Sequence, residues 1–219
     1  DATDKIVLPG LIDVHTHLRD PGYEYKETIG SGARAAARGG FTSIACMPNT
    51  KPVNDNAAIT EYIVRKGKAT GLNIYPIGAI TKGLCGKELA EFGEMKEAGI
   101  IGVSDDGKPV MDSGVMRRAM EYANMFNLPV VSHCEDVNLS RGGVANEGLV
   151  STLKGMRGIP PISENVMVAR DVILAAYTGC KLHIAHVSTG GAVEIIKNAK
   201  DKGTKVTAEV TPHHLTLSE

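Results

Sequence analysis

The chain has almost no charge imbalance: 24 lysines and arginines against 25 aspartates and glutamates leave a formal net charge of -1. The basic residues are scattered rather than gathered on one stretch, which excludes the electrostatic footprint of a nucleic-acid or acidic-membrane binder. Long apolar runs are also missing. Nothing approaches the roughly 18 to 20 consecutive apolar residues that cross a bilayer, and the N-terminal stretch lacks the tripartite pattern of a signal peptide, so a cytoplasmic setting is expected. Cysteine is sparse and dispersed at Cys46, Cys85, Cys134 and Cys180, with no Cys-x-x-Cys pair. This spacing argues against a disulfide framework or a structural zinc knuckle and predicts reduced, mostly buried thiols.

What the chain does contain is an alternation of short β-branched apolar runs with longer amphipathic stretches, the pattern of a parallel sheet covered by helices. Seven strands are predicted, over Leu11 to His17, Thr42 to Met47, Ile74 to Ile80, Gly102 to Asp106, Val130 to Cys134, Leu182 to Val187 and Lys205 to Thr211. Helices are predicted over Thr28 to Arg38, Ala57 to Thr70, Ser113 to Phe126, Glu164 to Tyr177 and Ala192 to Lys202. Gly39-Gly40, Gly71, Gly99 and Gly203 follow helices where a left-handed cap is expected. The one long connection, about 136–162, is predicted to be a functional loop beside the mouth. An α/β barrel of the TIM type takes eight such units. The expectation is therefore one incomplete barrel domain over 1–219, lacking the eighth strand, in a chain that is a fragment.

The segment Leu11 to Pro21 sets His15, His17 and Arg19 at alternate positions, so that an extended backbone points all three to one face. Two convergent imidazoles suit a zinc-type cation. Further candidates stand at the ends of later strands: Asp106, His133 and His186. In a barrel these ends surround the mouth. Four histidines and one carboxylate exceed the needs of a single tetrahedral ion and suit two ions sharing a bridge. Asp105 is the alternative to Asp106, and alternation does not decide between them. His183, an odd number of positions from His186, is expected to face the helices. His213 and His214 are expected to hydrogen-bond in the rim, and Cys134 to turn away from the site.

Taken together, Leu8-Pro-Gly-Leu-Ile-Asp-Val-His-Thr-His-Leu-Arg-Asp-Pro-Gly22, Met47-Pro-Asn-Thr50, Gly102-Val-Ser-Asp-Asp-Gly107, Ser132-His-Cys-Glu135, His186-Val-Ser-Thr189 and Ala208-Glu-Val-Thr-Pro-His-His214 resemble the type I dihydroorotases of the amidohydrolase superfamily. The resemblance runs through nearly the whole chain. It implies that His15 and His17 hold one zinc ion and His133 and His186 a second, with Asp106 bridging, while Arg19 and Asn49 bind substrate. It further implies the reversible cyclisation of N-carbamoyl-L-aspartate to L-dihydroorotate, a step of pyrimidine biosynthesis. In related hydantoinases and allantoinases a carbamylated lysine is the usual bridge; here Lys108 lies beyond the strand end, which favours the dihydroorotase branch. The family's general base is an aspartate on the eighth strand, expected beyond Glu219, so low activity is expected of this chain alone. Most of the family's accessory β-sandwich is likewise expected to be absent. Alternatives are another cyclic amidohydrolase, or a non-catalytic scaffold supporting aspartate carbamoyltransferase. A homodimer or a complex with that enzyme is the macromolecular partnership the family suggests, beside a small-molecule substrate.

Overall fold

The computed structural model describes residues 3–217. The principal strands are β1 (Leu11–Thr16), β2 (Phe41–Cys46), β3 (Asn73–Pro76), β4 (Val103–Ser104) and β5 (Val130–Ser132), followed after a small excursion by β8 (Leu182–Ile184) and β9 (Val206–Ala208). They form two parallel sheets, ordered β1-β2-β3 and β4-β5-β8-β9. A bridge from Gly78 to Val103 continues the hydrogen bonding from one sheet to the next. The result is a single arc of seven parallel strands. Among the described residues it is not a closed barrel: β1 pairs only with β2, and β9 only with β8.

Helices α1 (Ile29–Arg38), α2 (Ala57–Lys68), α3 (Phe92–Ala98), α4 (Ser113–Met125), α7 (Ile162–Thr178) and α8 (Gly190–Asp201) connect the strands. Several begin where the side chains dictate. Thr28, Asn56, Asp112 and Thr189 each accept a bond from a first-turn amide, satisfying a donor that has no partner within its own helix. Of the five glycines expected to be left-handed, Gly40, Gly71, Gly99 and Gly203 have positive φ, whereas Gly39 stays right-handed at φ -80° and passes the reversal to its neighbour.

Strand side chains alternate between two apolar layers. Ile44 and Cys46 of β2 pack outward with Ile29, Ala33, Ile63 and Ile74, while Ala45 and Met47 join Ile77, Val131 and Ala185 in a cluster of their own. Burial on both faces is what makes these strands read as continuous apolar runs. The larger cluster lies between β4, β5, β8 and β9 and their helices, with Phe92 at its centre stacked on Tyr122 at 4.7 Å between centroids.

Two expectations need correction. Every strand but β2, which keeps its length and shifts by one residue, is shorter than predicted, because the ladder ends where the chain turns toward the mouth; His186, at φ 36°, is such a turn. The connection after β5 is not irregular. It contains α5 (Val137–Ser140), β6 (Ala145–Asn146), α6 (Leu149–Leu153) and β7 (Gly158–Ile159), with β6 and β7 paired in parallel. Elements of two to five residues are too short to show a period. The helix α3 also has no sequence expectation, since it is brief and carries Gly93 in its first turn; buried Phe92 and Met95 hold it in place.

Behind the first strand, buried Asp20 accepts from Lys66 Nζ at 2.9 Å, Tyr62 Oη at 2.8 Å and the Ile29 amide at 3.2 Å. Burial opposes ionisation, but these partners, Lys66 foremost, hold the carboxyl below its usual range. Since the folded state binds its proton less tightly than the unfolded chain, the contribution is full above about pH 4 and fades as the pH falls through the folded value. Lys66→Met is expected to lower stability by about 1 to 3 kcal/mol near neutral pH. Urea melts at pH 7 and pH 3 check this, with a smaller difference expected at pH 3.

Candidate metal centre

His15 lies within β1 and His17 just past its end, Asn49 follows β2, Asp106 follows β4, His133 follows β5, and His186 and Glu209 follow β8 and β9. Parallel strands all end on the same side, so the arc carries these residues to one place. At its centre is the buried carboxylate of Asp106. Its Oδ1 faces His15 Nε2 at 3.4 Å, His186 Nε2 at 3.4 Å and His133 Nδ1 at 3.6 Å, and its Oδ2 faces His17 Nε2 at 3.5 Å and Asn49 Nδ2 at 3.4 Å. These separations exceed those of well-formed hydrogen bonds. Donors at such separations could share a cation, while His133 Nδ1 and His186 Nε2 stand 3.0 Å from each other.

Among the described residues two groups could hold a metal ion, His15 with His17 and Asp106, and Asp106 with His133 and His186; within each, the donor atoms lie within 4.8 Å of one another. Asp106 belongs to both. Its neighbour Asp105 turns the other way, accepting from the amides of Ile80 at 2.8 Å and Thr81 at 3.0 Å and from the Thr81 hydroxyl. Burial pushes the Asp105 carboxyl up to about 6 despite those bonds. Alternation in the sequence left this pair undecided, and the backbone at the end of β4 separates their directions.

Three of the four histidines are also held from behind. His15 Nδ1 is 2.5 Å from Glu209 Oε1, His17 Nδ1 is 3.0 Å from Asn49 Oδ1, and His133 Nε2 is 3.1 Å from Glu135 Oε2. Burial works against protonation of His15, yet the bonds to Asp106 and Glu209 outweigh it and raise its pKa to about 9. His17 differs: burial lowers its pKa, and the nearby Arg19 guanidinium adds to the effect. For Asp106, burial is outweighed by His133, His15 and His186, which keep it far below the ordinary carboxylate range. The site is thus an ionised carboxylate ringed by imidazoles, an arrangement suited to cations.

Arg19 is half-buried beside His17, but at φ 61° it lies outside the extended geometry that the alternation assumed. Two loops pack closely here. Gly22 has φ 93°, and a Cβ on it would fall 1.8 Å from the Lys51 carbonyl oxygen, so only glycine lets the loop after β1 lie against the loop that carries Asn49.

His183 departs from expectation. It does not face the helices; its Nε2 is 3.3 Å from Glu209 Oε2 and its Nδ1 is 2.8 Å from Thr207 Oγ1. Counting alternate residues back from His186 fails because the chain is not extended there. His214, on the short helix α9 (Pro212–Thr216), hydrogen-bonds Ser188 Oγ at 3.0 Å in the rim. Cys134 is buried away from the cluster, 3.4 Å from Ser132 Oγ. Sequence reasoning assigned no role to Glu209 or Glu135; the only available signal was a carboxylate directly after a strand.

Comparison with known proteins places the chain in a family. The family model described as dihydro-orotase-like matches residues 4–192. A protein named dihydroorotase from Pelotomaculum thermopropionicum is 61% identical over 219 residues, covering all of this chain and 51% of that protein. Another of that name from Syntrophus aciditrophicus is 60% identical over 220 residues, covering all of this chain and 52% of its own length. The chain therefore spans about half the length of the curated relatives it matches. Among solved structures, an L-hydantoinase (dihydropyrimidinase) from Arthrobacter aurescens superposes with a TM-score of 0.81 at 24% identity, over all of this chain and 50% of that one. The dihydropyrimidinase of Brevibacillus agri NCHU1002 gives 0.72 at 23% identity, over 96% of this chain and 48% of that one. At such identities the likeness concerns the fold, an α/β architecture with parallel strands. With the family model matched over most of its length, the chain belongs to the dihydro-orotase-like family.

Proposed function

We propose that this chain supplies the metal-binding part of a dihydroorotase site, acting in the reversible interconversion of N-carbamoyl-L-aspartate and L-dihydroorotate. The observation that carries the reading is Asp106, one ionised carboxylate faced by four imidazole nitrogens. We read the seven-stranded arc as part of a (β/α)8 barrel forming one domain over 1–219, with the eighth strand and its general base beyond Glu219.

The donor set fits two zinc ions: imidazole nitrogens with a shared carboxylate are borderline ligands of the kind zinc prefers, and no lysine is needed as a bridge. His15 and His17 would hold one ion and His133 and His186 the other, with Asp106 common to both. Ions held there would lower the pKa of water and polarise a ring carbonyl. The rest falls to side chains. Arg19 presents a guanidinium fork beside His17, suited to gripping the substrate carboxylate in two places. Asn49 can both donate to and accept from the amide-like atoms of the ring. Its contacts to His17 and Asp106 set its position at the edge of the site. The unpaired cysteines suit the reducing cytoplasm.

The test uses protein expressed from its full natural reading frame, loaded with zinc, and compares dihydroorotate, allantoin and hydantoin. Hydrolysis of dihydroorotate at least about 100-fold faster than the others is expected, a discrimination of nearly 3 kcal/mol. Metallated protein that hydrolyses allantoin or hydantoin but not dihydroorotate sinks the reading. The 219-residue span by itself is expected to be nearly inactive, and near-normal turnover there overturns the assignment of a base beyond it. Adding aspartate carbamoyltransferase tests for a stable complex by co-elution, and the same column reports a homodimer.

A further inference from the structure

Glu209 has no part in the reaction described above, yet it makes the shortest contact to the cluster. It follows β9 at one end of the arc, while His15 stands on β1 at the other. No ladder joins those two edge strands among the described residues, and the side chains meet across the opening, Glu209 Oε1 to His15 Nδ1, at 2.5 Å. The opposite ring nitrogen, Nε2, is the one that faces Asp106. The second carboxylate oxygen is occupied as well, by His183 Nε2 at 3.3 Å, and His183 is steadied in turn by Thr207. Contacts on both oxygens restrict the carboxylate to one orientation.

An imidazole that binds a cation through one nitrogen presents N–H at the other. A carboxylate accepting that proton selects the tautomer, fixes the ring's rotation and makes the ligating nitrogen more electron-rich. The three held histidines differ in this respect. His17 has a neutral amide behind it, and His133 has Glu135, whose side chain is 37% exposed; Glu209 is 15% exposed and correspondingly less screened. We infer that Glu209 is a positioning residue, which holds His15 by Nδ1 and aims its Nε2 at a cation shared with Asp106. The inference rests on the metal-binding reading of the site.

Glu209→Ala and Glu209→Gln, made in protein from the full natural reading frame, test this through metal binding rather than turnover. Zinc affinity is measured by competition with a chromogenic chelator, and the ligand field by the visible absorption of the cobalt-loaded protein. Glu209→Ala is expected to weaken zinc by about 10- to 100-fold and to alter the cobalt bands. Glu209→Gln, whose amide oxygen still accepts from Nδ1, is expected to fall between it and the wild type, with far-UV circular dichroism unchanged in both. Wild-type affinity and cobalt spectrum in Glu209→Ala overturn the inference alone. Loss of metal in both variants together with the wild-type dichroism makes Glu209 a fold residue and also overturns it. A wild-type protein that takes up neither zinc nor cobalt overturns the metal reading itself, and the inference with it.

Discussion

Replacing Asp106 by asparagine in protein from the full natural reading frame should, on the proposed dihydroorotase reading, remove divalent metal and reduce turnover by about a thousandfold or more, the equivalent of some 4 kcal/mol in the barrier. The reason is its position. Both groups of potential ligands include Asp106, so a single substitution deprives each of its only negative charge. An amide has one neutral oxygen and two N–H donors where the site now has two anionic acceptors. Stability should fall with it. Even without metal, His133, His15 and His186 outweigh the burial of Asp106 and hold its carboxyl far below the ordinary range, so the folded state favours the anion and a neutral amide gives up that contribution. Metal analysis after gel filtration, turnover of dihydroorotate and urea melts check the three parts. Full metal content with near-normal turnover would show that Asp106 is not the shared ligand.

The second large effect is expected behind the site. Asp171 on α7 is fully buried at 0% exposure, where it accepts from Ser132 Oγ at 2.5 Å and from Arg170 Nε at 2.8 Å. Ser132 immediately precedes His133. Arg170 also donates from one terminal nitrogen to the carbonyls of Val110 at 2.8 Å and Met111 at 3.1 Å, in the loop that leaves Asp106. The pair thus ties together two strand ends that bear candidate ligands. Arg170→Ala leaves the carboxylate buried and unpaired, and should cost about 3 to 5 kcal/mol, measured by urea unfolding at pH 7. Burial already pushes the Asp171 pKa upward, and removing the guanidinium pushes it further. Because the folded state then binds a proton more tightly than the unfolded one, the loss should shrink as the pH falls toward about 4. The double variant Arg170→Met with Asp171→Leu should recover part of the stability, since removing both charges leaves neither stranded. An Arg170→Ala protein within about 0.5 kcal/mol of wild type would mean the pair has no structural weight.

How much could be read in advance varies with the kind of residue. The alternation of apolar runs fixed the order of seven parallel strands and five of the connecting helices, because burial on both faces of a strand and one face of a helix leaves a repeating pattern in composition. The caps at Thr28, Asn56, Asp112 and Thr189 are likewise local, a side-chain oxygen three residues before the amide it serves. In the site, His15 and His17 could be paired because they share a short extended segment, and Asp106, His133 and His186 could be gathered because parallel strands end together. Prediction failed where the backbone left regular geometry. Arg19 and His186 have positive φ, so counting alternate residues from either misplaces its neighbours. His183 was assigned to the wrong side for that reason. The short elements between β5 and α7 left no period to detect, and α3 depends on the burial of Phe92 and Met95 by helices far along the chain.

By itself, then, the sequence determined the class of fold, the end of the sheet where chemistry collects, and the residue types gathered there. These follow from periodicity and from the polarity of parallel strands, which are properties of short segments. Only the tertiary structure decided which of Asp105 and Asp106 faces the histidines, which nitrogen of each ring points inward, and what holds the ring from behind. The contact between His15 and Glu209 joins residues 194 positions apart. Its existence depends on how far the arc curls, a sum of twists and packing distances along seven strands that no local pattern contains.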